Sequence, residues 1–119
     1  MTPAGPPAAG RHLRGDVVLC AAPGDFGKPR PAVVVQSDAV NATHPSTTLC
    51  PLTSAWVDAP LFRPVVEPTR DNGLRERSQV MVDKVTSLAN HRITDNIGRL
   101  DATGLHAVDA ALAFWLGLR

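Results

Sequence analysis

Cysteine is scarce in this chain, with only Cys20 and Cys50 in 119 residues. Two cysteines build no disulfide framework, and with four scattered histidines they make none of the spacings of a zinc site. Both lie in apolar runs, which predicts buried free thiols in a reducing compartment, a single bridge between them being the alternative. Long hydrophobic runs are also missing. No stretch approaches the ~20 apolar residues needed to cross a bilayer. The opening ten residues, Met1 to Gly10, lack the apolar core of a secretory signal. The expected location is therefore the cytoplasm, with no membrane partner. An excess of one charge is missing too: 12 Lys and Arg stand against 11 Asp and Glu, for a formal net charge of +1. Bulk attraction to a polyanion is excluded, so any nucleic-acid site must rest on locally placed Arg and Lys.

What is present suits one small soluble domain. Apolar residues make up 44% of the chain, enough for a single modest core. Residues 1–13, rich in Pro, Gly and Ala, have almost nothing to bury and read as a flexible tail. Arg11 and Arg14 close it as solvated charges. The folded domain is expected over 14–119. Val17 to Cys20 reads as a strand, Ala21 to Pro29 as a loop with two Pro and two Gly, and Pro31 to Gln36 as a second strand buried on both faces. Ser37 or Asp38 can cap a helical turn through Asn41. Thr47 to Leu52 is a third strand ending at Thr53-Ser54, and Phe62 to Val66 a fourth. Asp71-Asn72-Gly73 is a turn signal. Ser78 to Leu88 alternates as one strand, with Val80, Val82 and Val85 inward and Gln79, Met81 and Asp83 outward. Asn90 to Asn96 reads as a polar connection before a last short strand, Ile97 to Leu100. Then the period changes: Leu105, Val108, Leu112, Trp115 and Leu116 mark one face of a helix that Asp101 or Thr103 can cap. Short strands followed by one amphipathic helix predict a small barrel or rolled sheet.

Taken in order, several segments resemble the MazF/Kid (PemK-like) family of toxins. They are Arg14-Gly15-Asp16-Val17-Val18, the run Arg30-Pro31-Ala32-Val33-Val34-Val35-Gln36-Ser37-Asp38 with Asn41 after it, and Pro51-Leu52-Thr53-Ser54. Gly73-Leu74, Ser78, Asp83-Lys84-Val85, Arg92-Ile93, Ile97-Gly98-Arg99-Leu100 and Leu116-Gly117-Leu118 complete the match. The resemblance implies an SH3-like barrel of the MazF/Kid/CcdB type, mainly β with a C-terminal α-helix, assembled as a homodimer. It implies the toxin of a type II toxin–antitoxin system, a sequence-specific endoribonuclease acting on single-stranded RNA and neutralised by a cognate antitoxin. The implied reaction is attack by the RNA's own 2′-OH, giving a 2′,3′-cyclic phosphate and a 5′-OH. Because the substrate carries the nucleophile, the expected reaction needs no metal and no cofactor. The protein must orient the phosphate, stabilise its charge and manage protons.

The resemblance assigns catalysis to Arg30, Thr53 and Asp83. Arg30 stands where a loop meets a stiff Val-rich strand, and a guanidinium forks two donors onto phosphate oxygens. Thr53 ends a strand with a hydroxyl that can donate to a non-bridging oxygen. Asp83 is the proton-transfer candidate, although Kid-like members carry an Arg two residues earlier where this chain has Met81. Ser54, Lys28, Phe26, Arg63 and Arg77 are candidate RNA contacts, with Phe26 able to stack on a base, and Arg70 and Arg75 extend the basic patch. The loop before Arg30 is shorter than in most members and has no His, so cleavage specificity does not transfer. Two rivals share the scaffold. One is a CcdB-like poison of DNA gyrase, suggested by a faint C-terminal echo around Trp115 to Gly117. The other is a non-catalytic RNA-binding module.

Overall fold

The structure, a computed structural model, describes residues 12–24 and 28–119. The expected tail thus lies outside the described residues apart from His12 and Leu13, and so do Arg11 and Phe26. The elements run β1 (Asp16–Cys20), β2 (Arg30–Val34), a one-turn helix α1 (Asp38–Asn41), β3 (Ser46–Thr53), β4 (Val65–Val66), β5 (Ser78–Val80), β6 (Thr86–Ala89), β7 (Ile93–Arg99) and α2 (Ala102–Trp115). Among the described residues the seven strands form one sheet, six of them in the order β4-β5-β3-β2-β1-β7 and β6 paired to β3 beside that path, every pairing antiparallel. The sheet is curled into a half-barrel, the mainly-β fold with a C-terminal helix that the sequence leads one to expect.

β3 organises the sheet. One edge pairs β2; the other pairs β6 from Ser46 to Leu49 and β5 at Leu52 and Thr53. Pro51, which has no N–H to donate, falls where the neighbour changes from β6 to β5. Side chains alternate faces along a strand, and here both faces are buried. Val17, Val33, Cys50 and Leu52 join Val80, Val82, Leu100, Val108 and Ala111 on one side. Val18, Cys20, Ala32, Val34 and Leu49 meet Leu88 and Ile93 on the other. That is why β1 and β2 read as continuous apolar runs.

Asp101 starts α2, its carboxylate accepting from Gly104 N at 2.7 Å; Ser37 caps α1. Arg14, expected as a solvated charge, instead ties β2 to α2. Its guanidinium pairs with Asp109 and donates to Val35 O. Arg99 does the same for β1 and β7, bonding Asp16 at 2.7 Å.

Three expectations are corrected. The alternating run from Ser78 to Leu88 is not one strand. Met81 N donates to Pro51 O, the chain tightens into a 3₁₀ turn over Val82–Lys84, and β6 begins afresh at Thr86. Gln79, read as outward, is buried because its side-chain amide bonds both Val57 N and Val57 O. Second, the polar stretch from Asn90 is a connection only as far as Arg92. β7 already starts at Ile93, with Thr94, Asp95 and Asn96 exposed on a strand at the end of the sheet order. The ladder uses backbone groups, so polar side chains do not interrupt it, and they protect an edge. Third, the strand expected over Phe62 to Val66 shrinks to Val65–Val66, because the amides of Phe62 and Arg63 turn back to Ala59 O.

Candidate active site

Five strands and one loop enclose a cavity of about 410 Å³. Its wall holds Leu19 of β1, Arg30 and Pro31 of β2, Leu52 and Thr53 of β3 with Ser54 beyond it, and Ile97 of β7. Gly73, Leu74, Arg75, Glu76 and Ser78 complete it from the β4–β5 connection and the start of β5. Among the described residues the floor is apolar and the rim carries guanidinia, hydroxyls and one carboxylate.

The ladder between β2 and β3 pairs Val34 with Leu49, Val33 with Cys50 and Ala32 with Pro51. Arg30 and Thr53 lie two residues beyond the last of these pairs on their own strands, and both border the cavity. The β2–β3 pairing thus brings to one cavity wall a guanidinium and a hydroxyl that are distant in sequence. Thr53 is also paired to Gln79 of β5, and its Oγ1 accepts from Ala55 N at 3.1 Å. Ser54 sits beside it, exposed.

The β4–β5 connection is held against β7 by tight backbone contact. Arg99 N donates to Asp71 O at 2.7 Å. The Asn72 side chain, almost wholly buried, accepts from Thr69 N and Leu74 N and donates to Glu67 O. Gly73 has a φ of +69°, which only glycine adopts without strain, and a Cβ there would lie 2.1 Å from Ile97 O. Ser78 Oγ donates to Glu76 O at 2.9 Å. The wall that presents Leu74, Arg75 and Glu76 is therefore pinned at both ends.

The other expected site residues are scattered. Asp83 and Arg63 do not border this cavity. They form a forked ion pair at 2.9 and 3.0 Å, with side chains only 17% and 11% exposed. Hydrogen bonding from Arg63 holds the Asp83 carboxyl below its ordinary value, against the opposing effect of burial. Burial, reinforced by the charge of Asp83, pushes the Cys50 thiol up to about 12. Arg77 pairs with Glu67 at 2.8 Å and stacks over Trp56 at 4.6 Å from the ring centre. Lys28 is exposed at the near end of the loop that leads to Arg30. Among the described residues no group of three or more His, Cys, Asp or Glu is gathered to hold a metal ion. Glu76 is the wall residue that sequence reasoning passed over. It sits in a run of alternating charges, Arg75-Glu76-Arg77, with no motif to mark it, and only the fold brings it to the same cavity as Arg30.

A curled β half-barrel with a C-terminal helix, and a cavity that an arginine and a threonine both border, defines the class of fold. The comparisons are specific about which. This chain belongs to the family of PemK-like, MazF-like toxins of type II toxin–antitoxin systems, whose model matches residues 13–116. It is 42% identical over 106 residues to a probable endoribonuclease MazF of Mycolicibacterium smegmatis, covering 88% of this chain and 96% of that one. A MazE–MazF crystal structure from Deinococcus radiodurans superposes with a TM-score of 0.72 at 26% identity, over 89% of this chain and 95% of that one. A mycobacterial endoribonuclease in complex with its cognate antitoxin shares the fold, with a TM-score of 0.78 at 24% identity over 91% and 97% of the two chains.

Proposed function

We propose that this toxin is a sequence-specific endoribonuclease that cleaves single-stranded RNA by attack of the substrate's own 2′-OH, without a metal ion. The observation that carries the reading is the single cavity whose wall holds both Arg30 and Thr53. Arg30 grips the non-bridging phosphate oxygens and stabilises their growing charge, and the Thr53 hydroxyl donates to the same oxygens. Ser54, Arg75 and Lys28 hold the flanking backbone. Phe26 remains a candidate to stack on a base. Asp83 and Arg63 act away from this cavity as a structural pair, and Arg77 braces Trp56. The names of the relatives support the activity.

The working unit is a homodimer. Phe114, Trp115, Leu116 and Leu118 of the C-terminal segment are exposed together with Leu61, and Trp115 stacks on Phe62 at 5.0 Å. So concentrated an apolar surface on a small chain suits a second copy. A cognate antitoxin is the expected inhibitor, covering the Arg30 cavity, and the cytoplasm the expected location.

The test is purified protein on mixed RNA in excess EDTA, with the cut ends mapped. New 5′-OH and 2′,3′-cyclic phosphate ends are expected. Arg30→Ala removes the main stabiliser of developing charge and lowers the rate roughly 10²–10³-fold, and Thr53→Ala lowers it by a similar or smaller factor; both stay soluble. Activity that needs added magnesium, or an Arg30→Ala protein that cuts at the wild-type rate, refutes the mechanism. Intact RNA beside trapped gyrase–DNA complexes would move the reading to the gyrase poison.

A further inference from the structure

We propose that Glu76 is the general base that takes the proton from the attacking 2′-OH. The inference rests on the endoribonuclease reading above and adds the group that reading lacks.

The argument is one of elimination within a defined wall. Attack by a 2′-OH needs a proton acceptor beside the phosphate. The polar side chains among the described wall residues are Arg30, Arg75, Thr53, Ser54, Ser78 and Glu76. A guanidinium stays protonated in proteins and only donates, and a hydroxyl is a poor base, so the carboxylate alone can accept. Asp83, the base that the family resemblance suggests, fails on two grounds. It lies off the cavity wall, and both of its oxygens are occupied by Arg63. Glu76 has neither handicap. No hydrogen bond or ion pair engages its carboxylate among the described residues, while its backbone is fixed by Ser78 and by the clamp of the connection on β7. A free functional group on a fixed backbone is what positioned proton transfer requires.

The step balances without any further reagent. Glu76 accepts the 2′-OH proton as the O2′–P bond forms. The P–O5′ bond breaks, its electron pair stays on O5′, and O5′ takes a proton from water. Arg30 and Thr53 hold the non-bridging oxygens throughout, and Glu76 returns its proton to solvent.

The experiment is the pH–rate profile of kcat/KM on a single-stranded RNA, with wild type, Glu76→Gln, Glu76→Asp and Asp83→Asn compared. A base that must be unprotonated makes the rate fall on the acidic side. Wild type is expected to show that fall. Glu76→Gln is expected to lose it together with roughly 10²–10⁴ in rate. Glu76→Asp keeps the fall with a smaller loss. Binding separates proton transfer from recognition: Glu76→Gln should hold an uncleavable 2′-deoxy-substituted RNA at least as tightly as wild type does. Near-wild-type cleavage by Glu76→Gln, an acidic fall that survives in it, its transfer to Asp83→Asn, or weakened binding of the deoxy RNA overturns the proposal while leaving the endoribonuclease reading intact. A wild-type protein that cuts no RNA overturns both.

Discussion

Gly98→Ala places one methyl group where two backbones already touch. An ideal Cβ on Gly98 would lie 2.3 Å from Asp71 O and 2.4 Å from Asn72 C, where ordinary contact begins at 3.4 Å. The overlap is therefore about 1 Å, and it falls on main-chain atoms that cannot rotate aside. Overpacking a fitted contact costs about 1–3 kcal/mol, and a backbone neighbour puts this case at the upper end. At about 4 °C per kcal/mol for a domain of this size, melting should fall by roughly 12 °C. The functional effect should exceed what unfolding explains. The displaced segment leads into Leu74, Arg75 and Glu76, and misplacing a site by about 1 Å can cost 10²-fold in rate. The assay is thermal denaturation followed by circular dichroism, with RNA cleavage measured well below the variant's own melting point. Gly117→Ala is the control: its φ is +72° but nothing lies within 4 Å of the added carbon, so it isolates backbone strain of roughly 1–2 kcal/mol. A Gly98→Ala protein that melts within about 2 °C of wild type and cleaves within about twofold would refute the clamp.

Asp83→Asn should destabilise the protein by about 1–3 kcal/mol, since it removes the charge and one of two acceptors from a mostly covered guanidinium, while the soluble fraction keeps cutting RNA. The Asp83 carboxyl is held below its ordinary 3.8, so the ion pair contributes fully above that value and is lost as pH falls through the lower folded value. Denaturant titrations at neutral pH and near pH 3 should show the gap between wild type and variant narrowing; a gap that stays constant argues against the pair. The buried Cys50 thiol, raised to about 12, should not react with a disulfide reagent at pH 8 until the protein unfolds, and rapid native labelling would contradict the packing.

Much of the fold was legible because it rests on local chemistry. The Val-rich runs marked β1 and β2, the Ser37 and Asp101 caps marked the starts of α1 and α2, and Asp71-Asn72-Gly73 marked the turn. What failed was continuity. Alternation from Ser78 to Leu88 looked unbroken because the 3₁₀ turn at Val82–Lys84 buries Val82 as a strand residue would. Gln79 looked exposed because its two partners on Val57 are 22 residues away. The first half of β7 looked like a loop because Thr94, Asp95 and Asn96 are all polar. In each case a long-range bond overrode a local pattern, and no window along the chain contains both of its ends.

The candidate site divides in the same way. Arg30 and Thr53 could be picked out because both sit at strand ends within recognisable segments, and the pairing of β2 with β3 then brings both to one cavity. Gly73 and Gly98 could be picked out only as fragments of a pattern; their reason is steric and belongs to two chain segments at once, since neither backbone could approach the other past a side chain. Glu76 could not be picked out at all. In sequence it is one charge among Arg70, Arg75 and Arg77, and on an isolated peptide its side chain would be solvent-borne and without a task. The glycine contacts and the bond from Arg99 N to Asp71 O hold its segment against β7, and the Asn72 bonds fix the segment's own turn, which makes that ordinary charge a wall residue of the Arg30 cavity. Charge placement here follows from backbone packing, so a change at Gly98, which carries no reactive group, should disturb proton transfer as surely as a change at the carboxylate itself.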